Sequence, residues 1–208
     1  MRLGYFGGTF DPPHVGHLLA AVDAVEQLAL DGLVFVPAAQ QPLKAAGGSS
    51  APEHRLAMIR LLAGEDPRFS VDPIEIERAG LSYTVDTLAA FERRHPGDER
   101  FFVVGADALA TFARWREPER VLRLARLVVL RRAPAPGTPG CGDAGRDGAA
   151  LPAALPPAPP GMEPLVLETR RVDVSSTEIR ARVRAGQSIR GFVPDAVAAY
   201  IERTRLYR

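Results

Sequence analysis

An α/β fold, with a parallel sheet and helices packed on both faces, is what this sequence predicts. Short apolar runs alternate with segments whose apolar residues recur at helical spacing, the pattern of strand–helix–strand units. Glycine turns at residues 7–8 and 105 close two of those runs, and in such folds ligands sit beyond the carboxyl ends of the strands. A chain of 208 residues that is 46% hydrophobic can close one core, so a single domain over 1–208 is expected.

Leu3 to Phe6 reads as a buried first strand, and Val15, Leu18, Leu19, Val22, Val25 and Leu28 form a helical stripe running to about Leu30. Gly32 stops that helix, and Leu33 to Val36 is a second strand closed by Pro37. Residues 38–51 read as a polar loop carrying Gln41, Pro42 and Lys44. A helix from Pro52 to Ala63, a strand at Phe69 to Val71 and a helix from Thr84 to Arg94 follow. Phe101 to Val104 is the next strand, ending in Gly105-Ala106-Asp107. Helical turns near Ala108 to Phe112 and Glu119 to Leu124 precede a strand at Leu127 to Leu130. Between 134 and 161, 14 of 28 residues are Pro or Gly, which predicts a flexible surface insertion rather than an ordered element. A strand at Leu165 to Leu167 and helices near Ser176 to Ala185 and Pro194 to Arg203 complete the reading.

The balance of 26 basic and 25 acidic side chains leaves a net charge of +1, which gives no bulk attraction for nucleic acid or a membrane surface. Cys141 alone excludes an internal disulfide framework and a cysteine-cluster zinc site, and its place in the Pro/Gly-rich stretch argues against a catalytic thiol. Arg2 leads at once into strand and glycine turn, so no secretory leader is expected. No apolar run approaches the roughly 18 residues of a membrane span. A cytoplasmic protein is the expectation.

The stretch Gly-Gly-Thr-Phe-Asp-Pro-Pro-His-Val-Gly-His, residues 7–17, turns from strand to helix and says most about function. Glycines let a backbone approach an anion, and a helix start offers N–H groups to it. His14 and His17, three apart, can present both rings from the first helical turn. Neither GxGxxG nor GxxxxGK[ST] follows the first strand, which disfavours a dehydrogenase and a P-loop ATPase. The histidine pair could also be part of a zinc site, but no HExxH and no cysteine partner accompanies it. Ser175-Ser176-Thr177-Glu178-Ile179-Arg180 fits a helix capping box, with Arg180 placed one turn on to reach an anion at the same helix start. Asp107 could accept from ribose hydroxyls or merely cap a turn, and Ser82 could be only a cap. Trp115 could be core or could present its ring to a flat ligand, and Lys44 could be simply solvated.

With these residues together, the chain resembles the bacterial nicotinate-nucleotide adenylyltransferases of the nucleotidylyltransferase superfamily, over nearly all of its length except 134–161. GGTFDPPHVGH resembles the superfamily's HxGH phosphate turn and VSSTEIR its second signature. GLSYTVDTL (80–88), GADALATFARW (105–115) and FVPDAVAAYI (192–201) are similar to the narrower family. The resemblance implies a Rossmann-like parallel sheet of the HxGH nucleotidylyltransferase type. It implies adenylyl transfer from ATP to nicotinate mononucleotide, giving nicotinate adenine dinucleotide and pyrophosphate in NAD biosynthesis, with Mg²⁺ held mainly by ATP phosphates and water. It further implies His14, His17 and Arg180 as catalytic residues, and Gly7, Gly8, Thr9, Phe10, Gly105, Asp107, Ser176 and Thr177 as ATP and phosphate contacts. Lys44, Ser82, Tyr83, Thr84 and Trp115 are implied at the mononucleotide. The expected partners are ATP and that mononucleotide, with no nucleic acid and no membrane; a homo-oligomer is left open. Leu43 and Arg116 stand where the family often has histidine and tyrosine, both bordering the mononucleotide pocket. The competing readings are another acceptor (the amide mononucleotide or phosphopantetheine), a metal-dependent hydrolase using His14 and His17, and a nucleotide-binding regulator without catalysis.

Overall fold

In this computed structural model the described residues are 1–43, 49–64, 66–132 and 155–208, with the side chains of Asp107 and Arg132 outside the description. The elements run β1 (Arg2–Gly8), α1 (Val15–Gln27), β2 (Gly32–Pro37), α2 (Pro52–Ala63), β3 (Phe69–Val71), α3 (Ile74–Arg78) and α4 (Thr84–Arg94). They continue with β4 (Glu99–Gly105), α5 (Ala106–Leu109), α6 (Pro118–Leu124), β5 (Arg126–Arg132), β6 (Leu165–Thr169), α7 (Ser176–Arg184) and α8 (Asp195–Thr204). The strands form one six-stranded sheet in the order β3-β2-β1-β4-β5-β6, and every neighbouring pair is parallel. This is the Rossmann-like sheet expected from the alternating pattern.

Strand side chains point alternately to two faces, so each strand feeds two cores. Phe6, Leu33, Phe35, Phe101, Val103, Val128 and Leu130 join residues of α1, α2, α7 and α8 in one. Tyr5, Val36, Phe102, Val104, Leu127 and Val129 join residues of α4 and α6 in the other. Each fully buried Val, Leu or Phe contributes about 1.5–3 kcal/mol, so both layers are needed to hold the sheet.

The chain proceeds outward from β1 through β2 to β3, then returns to the other side of β1 with β4. The strand order therefore reverses between β1 and β4, where Phe6 pairs with Val103. The glycine turns at 7–8 and 105 thus end adjacent strands at a topological switch point, where open α/β sheets leave a crevice.

Some boundaries differ from the sequence reading. α1 stops at Gln27 because Ala29 adopts a left-handed φ of 47° that ends the helix before Leu30. α3 was not foreseen, since five residues show no periodicity; Asp72 Oδ1 accepts from Ile74 N–H at 2.9 Å and starts it. The single helical run expected at 108–112 is instead α5 followed by a 3₁₀ turn at Phe112–Arg114. Of the insertion expected at 134–161, residues 134–154, with Cys141, lie outside the described residues. In the remainder, Leu155 and Ala158 pack against the second core. Among the described residues no helix is long and apolar enough to cross a membrane.

Candidate active site

Gly8 ends β1 because Phe10 folds back over it: a Cβ there would meet the Phe10 ring at 2.9 Å. Phe10 sits at a left-handed φ of 52° and is only 2% exposed, packed edge-on to Phe6, Phe35 and His17. Its side chain is therefore core, and only its backbone can face a phosphate. Its ring also braces His17, with centroids 5.1 Å apart.

The two imidazoles stack with centroids 3.8 Å apart and planes at 34°, so both do present the same way. Gly16 is what makes room, because a Cβ there would come within 3.0 Å of His14 Nδ1. The His14 backbone N–H donates to His17 Nδ1 at 3.2 Å. A nitrogen that accepts carries no proton, so the neutral His17 ring bears its N–H at Nε2. The helix start is less open than the sequence suggested. Phe192 O takes the Val15 N–H at 3.0 Å, and His17 takes that of His14. Charge handling at the turn falls more to the imidazoles than to free N–H groups of α1.

The second constellation lies directly against the first. Ser175 caps α7 by accepting from Glu178 N–H at 3.2 Å, as the capping pattern predicts. Ser176 Oγ donates to Pro12 O at 2.8 Å, and Arg180 Nη1 donates to Asp11 O at 2.7 Å. Arg180 Nη2 also donates to Thr177 Oγ1 at 3.2 Å. Turn and helix start thus form one wall, 164 and 169 residues apart in sequence at these two bonds. Since the Ser176 hydroxyl proton goes to Pro12 and the Glu178 N–H to the Ser175 cap, the donors that can face an anion at the start of α7 are the Ser176 and Thr177 N–H groups and the Thr177 hydroxyl.

Gly105 ends β4 with nothing within 4 Å of where a Cβ would be, so that side of the crevice is open. Asp107 lies in α5, its side chain outside the description, and Lys44 lies outside the described residues.

The remaining predicted residues gather at the start of α4. Ser82 Oγ accepts from Ala39 N–H at 2.9 Å, and Ser82 N–H donates to Gln40 O at 2.8 Å. Ser82 is thus a latch between the exit of β2 and α4. Tyr83 is the N-cap residue, without a side-chain cap bond, and Thr84 opens the helix. Trp115 is half-buried, tilted against Phe112 at 5.0 Å and edge-on to Phe102 at 6.1 Å, with Nε1 donating to Thr111 Oγ1 at 3.3 Å. Arg116 bridges the two halves: its guanidinium lies 4.9 Å from the Tyr83 ring centroid and pairs with Asp86 at 3.4 Å and Glu117 at 3.8 Å.

Three groups escaped the sequence reading. Glu75 of α3 is 8% exposed and accepts from Thr87 Oγ1 at 2.7 Å beneath the start of α4. Burial pushes its carboxyl above the usual value, with the Thr87 and Ser82 hydroxyls opposing. Asp11 accepts from Tyr207 Oη at 2.7 Å and from Ser50 N–H at 3.0 Å. Arg55 of α2 is 1% exposed. A signal for Arg55 was present: it shares a helical stripe with Met58, Ile59 and Leu62, and a cation on an apolar stripe is buried for a reason.

Comparison with known proteins adds to this geometry. A family model described as Cytidylyltransferase-like matches residues 5–182. A Gemmatimonas aurantiaca protein named a probable nicotinate-nucleotide adenylyltransferase is 54% identical over 100% of this chain and 93% of its own length. A Thermus thermophilus protein of the same name is 45% identical, with 100% of each chain covered. This chain belongs to the nicotinate-nucleotide adenylyltransferase family. Among solved structures, a Plasmodium falciparum nicotinic acid mononucleotide adenylyltransferase complexed with NaAD has a TM-score of 0.69 at 15% identity, covering 99% of this chain and 97% of that one. At that identity the likeness speaks for the fold, and the fold is the family's. The resemblance read from HxGH and SSTEIR is thereby borne out at the level of the family.

Proposed function

We propose that this chain transfers the adenylyl group of ATP to nicotinate mononucleotide, forming nicotinate adenine dinucleotide and pyrophosphate, a step of NAD biosynthesis. The observation that carries the reading is the His14–His17 stack, seated over Gly16 and walled by Asp11–Pro12 and Ser176–Arg180 at the β1/β4 switch point. An oxygen of the mononucleotide phosphate attacks the α-phosphorus of ATP, and the bond from that phosphorus to the bridging oxygen of the β-phosphate breaks as pyrophosphate leaves. No covalent enzyme intermediate is required, so positioning and charge stabilisation carry the rate.

In this reading His17 donates from Nε2 to a phosphate oxygen and His14 supports it from the stack. Arg180 and the first turn of α7 hold the departing pyrophosphate. Lys44 meets the acceptor phosphate, Asp107 a ribose, and Trp115 the pyridine ring. The N–H groups of residues 83–84 receive the nicotinate carboxylate, which the amide would replace with a clashing donor. Among the described residues no three His, Cys, Asp or Glu side chains cluster as a metal site. Mg²⁺ arriving with ATP would fit by taking phosphate oxygens and water as ligands, and would neutralise charge on the leaving phosphates.

Pyrophosphate release by the purified protein with ATP and each acceptor tests this. The expected result is the highest kcat/KM with nicotinate mononucleotide. A higher value with the amide mononucleotide or with phosphopantetheine would overturn the acceptor assignment, and ATP binding without pyrophosphate release from any acceptor would overturn catalysis itself.

A further inference from the structure

The chemistry above leaves unused the most deeply buried cation of the described chain. Among the described residues the Arg55 guanidinium donates to carbonyl oxygens: Nε to Ser50 O at 3.0 Å, Nη1 to Thr9 O at 3.0 Å and to Ala38 O, and Nη2 to Ala39 O at 3.0 Å. These carbonyls belong to the turn after β1, the exit of β2 and the approach to α2. The β1–β2 ladder ends at Gly8 and Pro37, with one further bond from Ala38 N–H to Gly8 O at 2.9 Å. Past the end of that ladder, Arg55 ties the two segments together by donating to the Thr9, Ala38 and Ala39 carbonyls.

A buried charge is costly to keep, and an apolar side chain could fill the same space. What the guanidinium adds is a planar fork with several directed donors. Its bonds also reach both ends of the site. Thr9 lies in the phosphate turn. Ala39 N–H and Gln40 O hold Ser82 at 2.9 and 2.8 Å, and Ser82 opens the segment leading into α4. On its other flank Asp11, which accepts from Ser50 N–H at 3.0 Å, passes the contact to Arg180 through its carbonyl at 2.7 Å.

We propose that Arg55 is a positioning residue that sets the distance between the phosphate turn and the start of α4, and so aligns the acceptor phosphate with the α-phosphate of ATP. This rests on the adenylyl-transfer reading. A shift of about 1 Å between reacting groups costs on the order of 100-fold in rate, so a loosened fork acts on kcat before it acts on binding of either substrate.

The test is steady-state kinetics of Arg55→Lys and Ser82→Ala, singly and together, with thermal unfolding and the affinity for a non-hydrolysable ATP analogue measured on each. Lysine keeps the charge but cannot span the same carbonyls. The expected result is a kcat about 100-fold lower in Arg55→Lys and about tenfold lower in Ser82→Ala, with ATP-analogue affinity within about threefold of the parent protein. The double variant is expected to be no slower than Arg55→Lys, because the two changes break one chain of contacts. Wild-type kcat in Arg55→Lys, an equal loss of kcat and ATP-analogue affinity, or multiplicative effects in the double variant would overturn the proposal. If Arg55→Lys does not fold, an unchanged kcat in Ser82→Ala alone overturns it. Absence of pyrophosphate release by the parent protein strikes the adenylyl-transfer reading instead, so the two failures are distinguishable.

Discussion

The two ends of the proposed site, the phosphate end at the turn after β1 and the acceptor end at the start of α4, are held by different means. At the phosphate end His14 is 9% exposed, Asp11 5% and Phe10 2%, and the bonds joining the turn to α7 run to backbone carbonyls. At the acceptor end Tyr83, Thr84 and Trp115 are half-buried, and Arg116 and Asp86 face solvent as a pair 3.4 Å apart. Part-buried bonds to a fixed backbone carbonyl leave fewer alternative geometries than exposed ion pairs, which contribute about 0–1 kcal/mol and exchange readily with water. If the proposed assignments hold, the transfer chemistry sits on the end tied to backbone, and the choice of acceptor falls to the end held by exposed side chains.

The largest effect should come from the phosphate end. His17→Ala should lower kcat by about 100- to 1,000-fold, the usual cost of one transition-state donor, with thermal unfolding little changed. Near-normal turnover in a folded variant would remove His17 from the chemistry and with it the contrast between the two ends.

A smaller effect is expected across the site. Arg116→Ala removes a cation over Tyr83 and an exposed pair, together worth on the order of 1 kcal/mol. The KM for nicotinate mononucleotide should rise by about fivefold, with kcat and the KM for ATP nearly constant, since an exposed pair contributes little more. A large fall in kcat would show that the acceptor end is as stringent as the phosphate end.

The smallest effect is one of pH on stability. Glu75, 8% exposed beneath the start of α4, has its carboxyl raised above 4.5 by burial, so the folded protein binds its proton more tightly than the unfolded chain. Its contribution is then fully present below the unfolded value and lost as pH rises through the raised folded value. Glu75→Gln, which keeps a partner for Thr87, should remove that slope. The variant should gain melting temperature relative to the parent as pH rises across that window, measured by thermal unfolding at successive pH values. A constant difference between the two proteins would mean that Glu75 does not titrate there.

How much was legible beforehand differs between the two ends as well. The phosphate turn announces itself because its residues are contiguous: Gly8, Phe10, His14, Gly16 and His17 act on one another within ten positions. Helix α7 was readable for the same reason, its cap Ser175 and Glu178 being three apart. The latch at Ser82, the bridge from Arg116 to Tyr83 and the fork of Arg55 depend on partners that only folding brings near. Thr9, for instance, is 46 residues from Arg55, and Tyr207 is 196 from Asp11. In the segment 155–161 the Pro/Gly/Ala composition describes a propensity, and it does not show that Leu155 and Ala158 meet a core surface built by distant strands.

The sequence by itself determined the alternation of strands and helices, the two glycine turns, the paired imidazoles and the capped helix that faces them, because each is encoded in spacing of a few residues. The tertiary structure alone decided which strands adjoin, that the Val15 N–H is spent on Phe192 rather than left for an anion, and that a buried guanidinium spans both ends of the site. Periodicity records which face of an element is apolar; it carries no information on which remote carbonyl will be left without a partner once the sheet has closed.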